Sequence, residues 1–146
     1  TVLPMTVFHD PVIRIHGIKG ARSACRVLAD RPFVLLSPEH AAQINGAQWF
    51  ADLVGLTRDE FPTATFRAIL DCRGRMSGAL AALEIGLDGV IIDPPGDKQT
   101  ENLRDMGRQR GCQVFTAPPP SDAIYEMEDH RLPDHELDRR LGASLG

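Results

Sequence analysis

The amino-acid sequence predicts an α/β protein: a three-layer domain with a mainly parallel sheet of about five strands, helices on both faces and a C-terminal helical appendage. Three observations carry this. Phe33-Val34-Leu35-Leu36, Ala68-Ile69-Leu70 and Val90-Ile91-Ile92 are continuous apolar runs, the composition of strands covered on both faces. Between them, apolar residues recur at helical spacing. Alternation of the two at this interval makes right-handed βαβ units, and such units stack into a parallel sheet.

The elements follow in order. Val12-Ile13-Arg14-Ile15-His16 alternates apolar and polar residues, which predicts a strand with one wet face or a place at the sheet edge. Ala21, Ala24, Cys25 and Leu28 form the stripe of a helix packed on one side, which Pro32 ends. After the second strand, Ser37-Pro38-Glu39 has the order of a helix start, with a hydroxyl N-cap, proline and an acid. Asn45-Gly46 closes that short helix, since both residues tolerate positive φ.

Ala47, Phe50, Ala51 and Val54, widened by Trp49, Leu53 and Leu56, mark the next helix, and Thr57 to Glu60 has capping-box spacing before Pro62. The strand Ala68–Leu70 leads into the turn 71–77 and then into Ala79-Leu80-Ala81-Ala82-Leu83, apolar nearly all round and so expected to be largely covered. Val90–Ile92 is a strand, and Asp97 is the expected N-cap of a polar helix to about Arg110, anchored by Leu103 and Met106. Cys112 to Phe115 makes the last strand.

Composition sets the outer limits. A chain of 146 residues suits an α/β core over residues 1–117, with 118–146 a Pro-rich breaker and a helical tail. Leu137, Leu141 and Leu145, four apart, would pack that tail on the core or on a second copy, a homo-oligomer. The net charge of −4 argues against a nucleic-acid partner, which needs clustered positive charge. No apolar run reaches the roughly 20 residues that span a bilayer, so no membrane partner is expected. Thr1-Val2-Leu3-Pro4-Met5 lacks the basic and apolar regions of a signal peptide. Cys25, Cys72 and Cys112 are odd in number and widely spaced, which fits reduced thiols and a cytoplasmic location.

The chemistry concentrates in Asp71-Cys72-Arg73-Gly74-Arg75-Met76-Ser77, at a strand's carboxyl end and a helix's amino end. Arg73 and Arg75 supply charge and the Gly74 and Ser77 region supplies backbone donors, which together suit a small anionic ligand. The same guanidiniums favour a Cys72 thiolate, while Asp71 opposes it. Ser37, Glu39, His40 and Asp93 would share the rim if the strands run parallel, with His40 a base near neutral pH.

The run Cys72-Arg73-Gly74-Arg75, the Ala79–Leu83 helix, Gly86-Leu87-Asp88-Gly89-Val90 and Gly96 resembles the rhodanese sulfurtransferases, with a cysteine loop one residue shorter. The resemblance implies Cys72 as a sulfur-transfer nucleophile whose persulfide the loop amides would cradle. Ala79 to Val90 is also similar to the βα units of phosphate-binding barrels, which bears on helix–strand packing and not on a reaction. Gly78 stands where a cysteine phosphatase would carry arginine.

Glu126, Glu128, Asp129, His130, Asp134, His135 and Glu136 are ligand types. His130 and His135 are five apart across Pro133, however, so one helix face cannot present both, and no metal site is expected. Neither Gly-x-Gly-x-x-Gly nor a Gly-Lys-Ser/Thr loop occurs, so no nucleotide cofactor is expected. The leading expectation is an anion-binding domain at residues 71–78. The alternatives are a Cys72-dependent enzyme and a ligand-free module that assembles through its tail.

Overall fold

The computed structural model describes residues 9–145. The expectation drawn from Thr1–Met5 lies outside the described residues. The strands form a six-stranded, mainly parallel sheet with helices around it and a C-terminal helix, the α/β architecture the sequence predicts. In chain order the elements are β1 (Val12–Arg14), α1 (Ile18–Val27), β2 (Phe33–Leu36), α2 (Ala41–Ile44), α3 (Ala47–Glu60), β3 (Phe66–Asp71), α4 (Met76–Ile85), β4 (Gly89–Ile91), α5 (Asp97–Arg110), β5 (Gln113–Phe115), β6 (Ile124–Glu126) and α6 (Asp134–Leu145). The sheet order is β5-β4-β3-β2-β1-β6. No helix among the described residues is long and apolar enough to cross a membrane.

By contacts the chain divides into two compact units. One gathers the described residues up to Leu36, Asp52–Arg67 and the residues from Pro119 onward. In it β1 pairs in parallel with β2 through Val12–Val34 and with β6 through Val12–Ile124. The helix stripe Ala21, Ala24, Cys25 and Leu28 is buried as its spacing requires. Helix α6 packs on α1, with Leu137 and Leu141 buried and Asp138 bridging Ser23 and Arg26.

The other unit comprises Ser37–Ala51 and Ala68–Pro118. There β3, β4 and β5 run parallel, with Ile69 opposite Gly89 and Gly89 opposite Gln113. Val90, Ile91, Ala79, Ala82 and Leu83 are buried in its core.

Several local expectations need correction. Strand β1 is interior, flanked by β2 and β6, and all three of its residues are buried. Its polar Arg14 is accommodated because Glu126, directly opposite on β6, forms an ion pair with it. Strand β6 itself lies in the tail read as helical; three residues are too few to show a period. Thr57 lies inside α3 and donates to the Leu53 carbonyl at 2.8 Å, so it caps nothing. Asp97 is the first residue of α5 and Gly96 its N-cap, with no side chain capping the helix; Met106 is exposed, and Thr100 and Gly107 join Leu103 as the buried face. In α4, Leu80 is 40% exposed, so that helix is covered on one side only.

Candidate functional site

The turn after β3 gathers the residues that the parallel arrangement should bring together, in one unit of the chain. Asp71, the last residue of β3, is fully buried, and its amide donates to Ser37 Oγ at 2.8 Å. Ser37 therefore ties β3 to the chain that leaves β2, and is not the N-cap that the Ser-Pro-Glu order suggested. Helix α2 begins later, after His40, which adopts a left-handed φ of 55°. His40 Nδ1 lies 3.1 Å from the Arg73 carbonyl, so this ring nitrogen carries a proton and donates.

Arg73 folds back on Asp71. Its amide donates at 3.0 Å and its guanidinium at 2.6 to 3.1 Å, with Glu39 3.8 Å away. Burial alone would raise the Asp71 pKa; the hydrogen bonds and charge of Arg73, with a backbone bond from His40, outweigh it and hold the carboxyl below its ordinary value. The same hydrogen bond raises the Arg73 pKa. Gly74 has φ +87°, a conformation that L side chains rarely adopt, so the turn needs glycine. Its amide donates to Asp93 Oδ2 at 2.8 Å.

The predicted ligand groups thus divide. Asp71, Arg73 and Gly74 are spent on the shape of the turn. Arg75 and Ser77 stay exposed at the amino end of α4, joined by an Nε–Oγ contact of 3.3 Å. Arg75 occupies the N-cap position, and no side chain caps the helix.

Cys72 points inward. It is 2% exposed, and its thiol donates only weakly to the Leu70 carbonyl at 3.7 Å. Burial, then the Asp71 charge and Cys112, push its pKa up to about 12. These conditions are the reverse of those that activate a thiol. Burial likewise raises Cys25 to about 11 and Cys112 to about 12. We therefore expect all three thiols to react sluggishly with an aromatic disulfide reagent at neutral pH and together once the protein is unfolded. Fast native-state labelling at Cys72 alone would contradict this.

In the other unit the structure assembles a group that the sequence reading did not. His16 follows β1, and Asp129 and His130 follow the adjacent β6. Asp129 is 5% exposed, and its carboxylate accepts the amides of His16 at 3.0 Å, Gly17 at 2.9 Å and Gly20 at 3.0 Å. It thereby caps α1, whose own Gly17 offers no side chain, and places a negative charge at that helix's amino end. A Cβ on Gly20 would collide with this carboxylate, so glycine is needed there for the close approach.

The His16 ring continues the network. Its Nδ1 lies 3.0 Å from Asp129 Oδ1 and 3.1 Å from the Met127 carbonyl. Both partners are acceptors, which places a proton on Nδ1, so that in the neutral ring the lone pair is on Nε2. The His130 ring lies against the His16 ring, with centroids 4.5 Å apart. The pairing spans more than one hundred residues of chain, and without β6 no sequence spacing could announce it.

No protein-family model matches the chain, and no curated protein matches it.

Proposed function

We propose that the chain is a small-ligand domain that takes a compact anion, a phosphate, sulfate or carboxylate, at the Arg75–Ser77 end of the turn. One observation carries the reading: Arg75 is exposed at an uncapped helix amino end beside a hydroxyl, and among the described residues its guanidinium meets no carboxylate. Its charge and the Ser77 hydroxyl then face the same solvent, at the positive end of the α4 dipole. Arg73 and Gly74, expected as ligand contacts, instead brace the loop that presents them.

The burial of Cys72 supports anion binding over a sulfur-transfer enzyme. Burial of Leu137 and Leu141 within the chain likewise favours a ligand-binding role over assembly through the tail. Three free, buried cysteines support a reducing, cytoplasmic setting.

The test is thermal unfolding in phosphate, sulfate and citrate at constant ionic strength. The wild-type midpoint should rise with at least one of them, and Arg75→Ala, which removes no buried contact, should abolish the rise. Equal responses in the two proteins, or none in the wild type, would overturn the reading.

A further inference from the structure

We infer that His16 and His130 form a binding site for a divalent first-row transition-metal ion, held in place by Asp129. One ring nitrogen from each histidine and a carboxylate oxygen of Asp129 all lie within 4.8 Å of one another. The His16 ring cannot turn away, because Nδ1 is fixed between Asp129 and the Met127 carbonyl. Its Nε2 lone pair is therefore presented in one orientation, by the carboxylate–imidazole pairing that orients metal-bound histidines generally.

His130 is exposed, and the proposed site requires both imidazoles to approach the ion to the Zn–N distance of about 2.0–2.1 Å. Capping of α1 accounts for Asp129 completely, but it uses only backbone amides and needs no imidazole at position 16 or 130. The ring contact between the two histidines is what capping leaves unexplained.

The donor set decides the class of ion. Two imidazoles favour Cu2+, Ni2+ and Zn2+ over Mg2+ and Ca2+, which take oxygen ligands. Asp129 already accepts from several N–H groups, so it acts behind His16 as its orienting partner. Water fills the remaining coordination positions, making this an open site and not a closed structural one. The parallel pairing of β1 with β6 sets the site at the carboxyl ends of these two strands.

Equilibrium dialysis and thermal unfolding of the full chain, with a phosphine reductant present, test the inference. We expect Zn2+ and Ni2+ each to bind at one equivalent and to raise the unfolding midpoint, with Mg2+ and Ca2+ without effect. His130→Ala should keep the metal-free stability of the wild type and weaken Zn2+ binding at least about tenfold, and His16→Ala should do the same to binding. Bound Co2+ should lack the thiolate charge-transfer band, which excludes the cysteines as ligands. Wild-type affinity in His130→Ala, equal binding of Ca2+, a thiolate band, or no bound Zn2+ at millimolar concentration would each overturn the assignment.

Discussion

Replacing Asp129 by alanine should destabilise the protein by about 3 kcal/mol or more, the largest effect expected of any single polar substitution here. The carboxylate accepts three backbone amides, from His16, Gly17 and Gly20, and holds the His16 ring. Alanine would leave those donors facing a cavity, at about 1–3 kcal/mol for each unsatisfied buried group, partly relieved by entering water. It would also remove the anion at the start of α1. Asp129→Asn should cost less, because one oxygen still accepts. Chemical denaturation measures both: the midpoint should fall strongly for alanine with the slope unchanged. A loss under about 1 kcal/mol would show that the amides find other acceptors.

Asp71→Ala is the second large effect, about 3 kcal/mol, because it leaves the Arg73 guanidinium only the more distant, exposed Glu39 and removes the acceptor that shapes the turn. The buried acid also gives the substitution a pH signature. Its carboxyl lies below the ordinary value of 3.8 in the folded state, so the folded protein holds its proton less tightly than the unfolded chain. The stabilisation from this group is then fully present above the unfolded-state pKa and is lost as pH falls through the lower folded-state value. Wild-type stability should therefore drop more steeply than that of Asp71→Ala between about pH 5 and pH 2, whereas the gap between the two proteins should be constant near neutrality. Parallel curves across the acid limb would show that Arg73 does not depress the Asp71 carboxyl.

Much of the fold was legible because burial leaves a local mark. Phe33–Leu36 and Val90–Ile92 are apolar without interruption, and Ala21, Ala24, Cys25 and Leu28 repeat with helical period. Where a local signal has two meanings, contacts distant in sequence decide between them. Arg14 reads as a solvent-facing residue because a lone arginine in a strand usually is one; here Glu126 on β6 neutralises it in the sheet interior. Ser37 has the order of a helix cap, yet its hydroxyl accepts the Asp71 amide across two strand ends. Thr57 has a cap's spacing but sits within α3 and bonds back one turn.

The turn at 71–77 shows how far residue types alone can carry a site. Its position at a strand end, its glycine and its two arginines were visible. Which arginine is committed to Asp71 and which is exposed depends on side-chain direction. The Cys72 thiol, which the sequence could place beside cations, instead faces the core, and burial dominates its pKa.

The sequence by itself determined the class of fold, the strand ends and the turn most loaded with polar groups, since these follow from nearest-neighbour hydrophobicity and turn chemistry. Only the tertiary structure decided which charges cancel, which thiol is covered and which histidine meets which carboxylate. Those outcomes hinge on contacts between residues far apart in the chain, and the pairing of β1 with β6, on which the His16–Asp129 contact rests, has no periodic signal in three residues.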